Sequence, residues 1–295
     1  MNQPYIIINK TVLLSCIDLE TFMSTPVLSS GTMRLVKKIE NGDFILPGIP
    51  EVSEKIRKAV KDDNVNVADL SSLIEQDPVL SARIVSMVNS PAMRTPVKIN
   101  SVKSAVSRMG LSFAGNAAIG LAMEQAFKAI NPVISKEMNH HWFYTNLVAN
   151  AAIVIAKSIK SVPVEEVMLA ALLHHIGALA LLKYADSDEE LSRSVDERKQ
   201  IISEASGMVG DFAICVWDLP EQYSSLARDI HDFEGVKDVS MLVHVIRVAI
   251  CLVGLNYKVP VPLPEWMNIP SFQVLGLPAD SDSPEIQELL AEFVD

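Results

Sequence analysis

Cysteine is scarce in this sequence of 295 residues, and its placement excludes several kinds of site. The chain has three cysteines, Cys16, Cys215 and Cys251, and no two of them are spaced as CxxC. Zinc-finger and thioredoxin-like motifs are therefore excluded. Because the number is odd, we predict no disulfide framework. We expect reduced, mostly buried thiols in a reducing compartment, and hence a cytoplasmic protein.

Basic residues are also fewer than acidic residues. The 25 Lys and Arg residues stand against 36 Asp and Glu, which gives a net charge of −11. Contacts with phosphates need clustered basic side chains, so we expect no nucleic-acid partner. The stretch 78–123 is an exception, because it contains no acidic residue. Either it simply packs against a core, or its basic residues form an anion surface, which would comprise Arg83, Arg94, Lys98, Lys103 and Arg108.

The sequence lacks the common motifs of nucleophilic catalysis, phosphate binding and membrane insertion. GxSxG, GxxxxGK[ST] and GxGxxG are absent, so we assign no catalytic residue and expect no cofactor. The most apolar segment, Val167 to Leu182, is shorter than the roughly 20 residues of a membrane span. It also contains two histidines, and we predict a buried core helix without a membrane partner. The N-terminus shows no secretory signal.

What is present predicts an all-α fold. Aromatic residues make up only 6% of the chain, and the apolar residues are chiefly Leu, Ile, Val, Ala and Met, which suit packed helices. Proline, glycine and capping residues divide the sequence into helical segments. The predicted helices cover approximately 33–40, 50–60, 67–76, 77–89, 101–110, 111–130, 132–160, 163–184, 188–206, 208–217, 221–233, 239–256 and a last one after Ser283.

These segments predict two helical lobes. The first spans about 46–130 and the second about 131–258. Residues 1–45 form an N-terminal extension of uncertain structure, in which residues 5–8 are either a short strand or the start of a helix. Pro260, Pro262 and Pro264 predict a stiff extended connector within the tail 259–295.

All six histidines lie in the second lobe, and the pair His174–His175 interrupts an apolar helix. Adjacent residues of a helix point about 100° apart, so these two rings should not bind one ion together. The possibilities are a hydrogen-bonded core histidine beside one at a cavity edge, a metal site of His174 with His231 and Asp232, or a ligand pocket without metal. We expect His140 and His141 to be solvated, and His244 to be hydrogen-bonded structure.

Several spaced motifs resemble the HDOD domain over about residues 46–295. The first-half motifs are LPGIPEV at 46–52, DPVLSAR at 77–83 with Asn89-Ser90, and the helix from Ser101 to Gly110. The second-half motifs are Trp142, AALLHHIGALAL at 170–181, VGDFAICVWDLP at 209–220, Ala227 with His231, VHVIRVA at 243–249 and QVLGLP at 273–278. The resemblance implies a multi-helix, two-lobed HDOD fold related to the HD metal-dependent phosphohydrolases.

The resemblance also shows where this sequence departs from the HD enzymes. Their four ligand positions, a His, a His-Asp pair and a later Asp, fall on Tyr144, His174, His175 and Arg247. Only His174 keeps the ligand that the enzymes have, and Arg247 introduces a fixed positive charge that would repel a cation. The resemblance therefore implies a degenerate site in which no metal is expected.

Three hypotheses about function follow. The first is a non-catalytic bacterial signal-transduction module that acts through a protein partner or a small ligand, and which could form a homodimer. The second is a divergent metal-dependent phosphohydrolase that uses His174, His175, His231 and Asp232. The third is a sensor of an anionic nucleotide, bound either at the basic surface or in a pocket formed by His174, His175, His231, Asp232 and Arg247.

Overall fold

A computed structural model describes residues 5–6, 22, 28–93, 97–235, 239–257 and 263–294. It confirms the all-α prediction. The helices are α1 (Ser30–Asn41), α2 (Glu51–Val60), α3 (Val67–Glu75), α4 (Pro78–Val88), α5 (Val102–Met109), α6 (Leu111–Ala126), α7 (Pro132–Ile159), α8 (Val164–Leu173), α9 (Ile176–Ser187), α10 (Glu189–Arg193), α11 (Val195–Val216), α12 (Leu226–Asp229), α13 (Met241–Asn256), α14 (Pro270–Val274) and α15 (Pro284–Val294). Short 3-10 helices cover Pro91–Met93, Glu221–Tyr223 and Trp266–Asn268.

Most helix boundaries follow the capping chemistry of the sequence. The side chain of Asp77 accepts hydrogen bonds of 2.8 and 3.0 Å from the first amides of α4. Ser101 caps α5 in the same way, through the amide of Ser104 at 3.2 Å. Gly42 ends α1 with a φ of 76°, which is a left-handed conformation that glycine adopts without a steric penalty.

Several predicted helical boundaries are wrong, among them that of 188–206, which is divided between α10 and α11. The segment 163–184 is not one helix but two, α8 and α9, which are separated by His174 and His175. Conversely, α11 continues without interruption through the break that was predicted near Gly207. Gly207 has no side chain, which allows the backbone of Arg228 to approach closely. Residues 221–233 form a 3-10 turn and the short helix α12, because Ser225 adopts a φ of 60° between them.

The described residues divide into two compact units, each of which is assembled from separated segments. The first unit comprises Met1–Ile49, Ala126–Phe143 and Leu173–Asp232, and the second comprises Pro50–Gln125, Tyr144–Leu172 and Phe233–Asp295. Helix α7 contributes its first part to the first unit and its remainder to the second. That residues 46–130 and 131–258 behave as separate folding lobes stays a prediction.

The first unit is built around the close packing of α9 on α11. A Cβ atom added to Gly177 of α9 would lie 1.8 Å from the carbonyl oxygen of Ser206 on α11, so only glycine permits this approach. Phe44 adds an aromatic contact with Tyr184, with ring centroids 6.0 Å apart. A two-residue strand β1 (Tyr5–Ile6) pairs antiparallel with β2 (Leu46–Pro47), which makes residues 5–6 strand rather than helix.

The second unit has α13 as its most buried helix. Every residue of α13 from 242 to 253 is buried, so it has no solvent-facing side over this length. Asn89, at the end of α4, binds the backbone of Ile99 in both directions at 2.8 and 2.9 Å and thereby fixes the connection to α5. On α13, His244 Nδ1 lies 2.9 Å from the hydroxyl of Ser271, which confirms the predicted hydrogen bond of His244.

The apolar segment of α8 and α9 is buried, as predicted. By length and composition, Val164–Ser187 could cross a membrane, but 94% of its most apolar window is buried inside the structure. That degree of burial is typical of core helices. The expectation for the cysteines is confirmed for Cys251, a free buried thiol, and is wrong for Cys215, which is disulfide-bonded.

Some predictions fall on residues that the structure does not describe. They concern Cys16, the basic residue Arg94, the remaining residues of the predicted strand after Ile6, and the connector at Pro260 and Pro262.

Candidate functional site

The site begins at the break between α8 and α9. His175 precedes α9 with φ −112° and ψ 17°, outside the helical region, so the chain turns at this point. The turn changes how the histidine rings are directed. The rings of His174 and His175 are nearly parallel, with an interplanar angle of 22° and centroids 5.4 Å apart. The premise that the two residues lie within one helix is therefore wrong, and the expectation that their rings do not bind one ion together stays a prediction.

Two further histidines of the first unit surround His175. The ring of His141, from α7, lies edge-on to it with centroids 4.7 Å apart, and the two Nδ1 atoms are separated by 3.4 Å. The ring of His231, two residues beyond α12, lies with its centroid 6.1 Å away. We call His141, His174, His175 and His231 the histidine cluster. The structure thus brings together three of the predicted pocket residues and adds His141.

The expectation that both His140 and His141 are solvated holds for His140 alone. His141 is partly buried, and the sequence contained a signal for it. Ile134 and Met138 are fully buried residues of α7, and His141 follows them at helical spacings of seven and three. Its place on the buried face was therefore predictable from periodicity, whereas its contact with His175 needed the turn that follows α8.

Burial keeps three members of the histidine cluster, His141, His175 and His231, uncharged at neutral pH. Burial lowers the pKa of His231 to about 4. It also lowers the pKa of His141 to about 4; His140 adds to this effect and Glu137 opposes it. Burial and the three neighbouring histidines place the pKa of His175 well below its ordinary value of 6.5. These three residues therefore present neutral imidazoles, which can accept a hydrogen bond or ligate a metal.

The other residues of the predicted sites differ in their exposure to solvent. Asp232 is exposed, while Tyr144 on α7 and Arg247 on α13 are buried in the second unit. Burial, with a smaller contribution from Cys251, raises the pKa of Tyr144, so its hydroxyl stays protonated. That Arg247 and Asp232 share one pocket with the histidines stays a prediction.

The HD enzymes, which the sequence resembles, hold their metal with histidine and carboxylate ligands. Within the described ranges, no group of three or more His, Cys, Asp or Glu side chains could hold a metal ion. Tyr144 and Arg247 supply no carboxylate or imidazole at the positions onto which the HD ligands fall. The residues therefore do not fit the mixed histidine and carboxylate set of those enzymes.

One basic residue of the predicted anion surface has its charge compensated by an acidic partner. Arg83 forms an ion pair with Glu124, which neutralises its charge. Burial raises the pKa of Glu124 despite this partner. Lys98, Lys103 and Arg108 are exposed, and a shared anion surface of these three side chains stays a prediction.

Comparisons with known proteins agree with this architecture. The sequence model of the HDOD domain matches residues 46–233. No curated protein matches the sequence significantly. A solved structure from Shewanella amazonensis SB2B, named "Putative metal-dependent phosphohydrolase", aligns with 90% of this chain and 98% of its own, at a TM-score of 0.74 and 22% identity.

Two further solved structures share the fold. An "HDOD domain protein with unknown function" from Geobacter sulfurreducens aligns with 94% of this chain and 99% of its own, at a TM-score of 0.63 and 21% identity. A "Putative signal transduction protein" from Marinobacter aquaeolei VT8 aligns with 98% of this chain and 64% of its own, at a TM-score of 0.56 and 18% identity. Likeness at such identities shows a common fold and leaves activity open.

Proposed function

The chain belongs to the HDOD family, and from that premise we propose that it is a non-catalytic signalling module that acts through a protein partner or a small ligand. The observation that carries the proposal is the replacement of ligands at the HD positions. Arg247, on α13, is only 1% exposed, so its positive charge is buried. A divalent cation at its own position is therefore disfavoured. The similar structure named as a signal transduction protein supports the same conclusion.

The chemistry of the histidine cluster also supports a non-catalytic role. Metal-dependent phosphoester hydrolysis requires an ion that lowers the pKa of a bound water. The carboxylates that would hold such an ion are replaced by His175 and Arg247, and Asp232 is exposed. The alternative, a divergent phosphohydrolase that uses His174, His175, His231 and Asp232, would need Asp232 to turn inward.

A direct assay tests this proposal. The full chain is incubated with p-nitrophenyl phosphate and bis-p-nitrophenyl phosphate in the presence of Mg²⁺, Mn²⁺, Fe²⁺ or Zn²⁺. We expect no turnover above the rate of metal and buffer alone. Turnover that disappears in the His174→Ala variant and persists in the His140→Ala variant would overturn the proposal, because His140 is exposed and serves as the matched control.

The sensor of an anionic nucleotide is a second candidate, which the exposed side chains of Lys98, Lys103 and Arg108 favour. Binding is measured by thermal shift with mono-, di- and cyclic nucleotides. We expect the Lys103→Glu variant to lose any shift and the Lys199→Glu variant to keep it, because Lys199 is an exposed lysine outside this surface. No shift of the wild type with any nucleotide would eliminate the sensor.

We further propose a cytoplasmic location, no membrane or nucleic-acid partner, and a homodimer as one possible protein contact. The burial of the apolar helices α8 and α9 supports the absence of a membrane partner, whereas the disulfide at Cys215 runs against a cytoplasmic location. Light scattering coupled to size exclusion measures the oligomeric state, and thiol labelling in intact cells measures whether Cys215 is reduced. A fully oxidised Cys215 in cells would count against the cytoplasm.

A further inference from the structure

Helix α15 packs on the second unit through one apolar face. Its buried residues have the three- and four-residue spacing of an amphipathic helix; they are Ile286, Leu289, Leu290 and Phe293. Among the described helices and strands, the 3-10 turn Pro91–Met93 is the element on which α15 packs most extensively. Helix α13 of the same unit, in contrast, is buried on every side from 242 to 253. We therefore expect α15 to be the less firmly held of the two helices.

The charge of α15 is opposite to that of the segment on which it packs. α15 contains Glu285, Glu288 and Glu292 and no basic residue. The turn Pro91–Met93 lies within the stretch 78–123, which contains no acidic residue. Complementary charges of this kind select a partner and speed its association.

Two exposed lysines lie beside this turn. Lys157 Nζ donates a hydrogen bond of 2.6 Å to the carbonyl oxygen of Ala92, which is part of the turn. Lys98 precedes Ile99, and the side chain of Asn89 binds the backbone of Ile99 just before the turn begins. Positive charge is therefore held next to the contact that α15 makes.

We propose that α15 is an exchangeable strap, and that the surface it covers binds an acidic amphipathic helix of a partner protein in its place. This surface, the α15 seat, comprises the turn Pro91–Met93 with Lys98 and Lys157. Helices that lie in a groove are read through apolar anchors three, four and seven positions apart. A competitor of α15 needs the same spacing, together with acidic side chains that complement the two lysines. This partner class rests on the proposed function, in which the chain acts through a protein partner.

Hydrogen exchange of the wild-type chain tests whether α15 detaches. Amides of a helix that opens locally exchange without global unfolding, so those of α15 should exchange at least about tenfold faster than those of α13. Mass spectrometry of peptic fragments resolves the two helices. Equal protection of α15 and α13 would overturn the strap.

Peptide binding tests the α15 seat directly. A fluorescent peptide of residues 283–294, SPEIQELLAEFV, is titrated with the full chain and followed by anisotropy. Leu289→Glu puts a charge on the buried face of α15 and frees the seat, so this variant should bind the peptide at least about tenfold more tightly than the wild type does. Ala291→Glu adds the same charge on the exposed face and should bind as the wild type does. Equal affinity of both variants, or no binding by Leu289→Glu, would overturn the seat.

A second variant covers the case in which Leu289→Glu disturbs more of the fold than α15. If its melting temperature lies well below that of Ala291→Glu, Phe293→Ala replaces it, because this change shortens the same apolar face without a new charge. Phe293→Ala should also raise the affinity for the peptide. No rise in affinity with this variant would overturn the exchange of α15.

The acidic character of the partner is tested with a peptide in which Glu285, Glu288 and Glu292 are replaced by Gln. We expect it to bind the Leu289→Glu chain at least about threefold more weakly than the acidic peptide, and this difference to vanish in about 0.5 M NaCl, which screens charged pairs. Equal binding of the two peptides at low salt would overturn the acidic class of partner.

The experiments separate this inference from the proposed function. Peptide binding without phosphoester turnover supports both. Turnover that depends on His174 would overturn the signalling proposal, whereas absence of peptide binding would overturn the α15 seat alone.

Discussion

The indole nitrogen of Trp217 donates a buried hydrogen bond of 3.1 Å to the carbonyl oxygen of Pro47. These residues lie 170 positions apart, in the LPGIPEV and VGDFAICVWDLP motifs, so the bond joins the first and the last segment of the first unit. Trp217 is only 1% exposed and its ring also meets Phe127 edge-on, with centroids 6.0 Å apart. The two motifs thus meet in one contact, which orders the region around β2.

Replacement of Trp217 by Phe should be strongly destabilising. The carbonyl of Pro47 would lose its buried donor, and the smaller ring would leave a cavity, so we expect the free energy of unfolding to fall by about 2–4 kcal/mol. Urea denaturation followed by far-UV circular dichroism measures the change. Trp266→Phe is the control, because that partly exposed ring can keep its stacking on Phe272. Equal losses of unfolding free energy in both variants would show that the hydrogen bond from Trp217 to Pro47 does not add to stability.

The ion pair of Arg198 and Glu137 predicts a second difference. Arg198 is 1% exposed and binds both oxygens of Glu137, at 2.9 and 2.5 Å, as well as the carbonyls of Leu191 and Ser192. Removal of Glu137 leaves a buried charge without its partner, so Glu137→Ala should lower the free energy of unfolding by about 3 kcal/mol.

An exposed pair provides the matched control for this prediction. Arg193 and Glu189 are 2.7 Å apart but are 76% and 79% exposed. Glu189→Ala should therefore cost less than about 1 kcal/mol in the same urea experiment. If both alanine variants lose the same small amount, burial of Arg198 does not strengthen its pair.

Gly177 should not tolerate any side chain. An added Cβ atom would lie 1.8 Å from the carbonyl oxygen of Ser206, which is main chain and cannot rotate away. Gly177→Ala should push α9 away from α11 and lower the melting temperature sharply, with a loss of more than about 3 kcal/mol. Gly31→Ala, whose new Cβ atom would meet Leu191 at an ordinary 3.6 Å, should change stability by less than about 1 kcal/mol. A mild effect of Gly177→Ala on thermal unfolding would refute the close approach.

Local chemistry in the sequence was sufficient for most of the fold. The caps at Asp77 and Ser101 and the left-handed Gly42 each act within a few residues of their own position, so the helices that they bound could be predicted. The fold class followed from the same punctuation, and the family followed from motifs whose order is preserved. Burial of residues 167–182 followed from their predominantly apolar character.

The candidate site depended on tertiary structure and was predicted only in part. His174, His175 and His231 could be singled out because polar rings within apolar sequence need partners. The break before α9 could not be foreseen, since no proline occurs between Val164 and Ser187 to mark it. Because the break could not be predicted, helical periodicity gave neither the arrangement of the His174 and His175 rings nor the contact of His175 with His141.

The buried negative charge of Asp211, on α11, lowers the stability of the fold at neutral pH. Its Oδ1 atom accepts hydrogen bonds from the amides of Ala227 and Arg228 at 3.1 and 3.4 Å. Burial nevertheless raises the pKa of Asp211 from its ordinary value of 3.8 to about 6, although the guanidinium of Arg228, 3.7 Å away, opposes the shift. Between these two pH values the folded state binds more protons than the unfolded state.

Stability contributed by Asp211 should therefore be fully present below about pH 4 and be lost as the pH rises through about 6. Asp211→Asn keeps an oxygen for the two amides and removes the charge, so it should raise the free energy of unfolding by about 2 kcal/mol near pH 8. The gain over the wild type should shrink towards zero near pH 4, because protonated Asp211 is then neutral as well. Urea denaturation of both proteins across this range measures the difference, in which the titration of all other groups cancels. A gain that is the same at every pH would mean that the buried charge is not the cause.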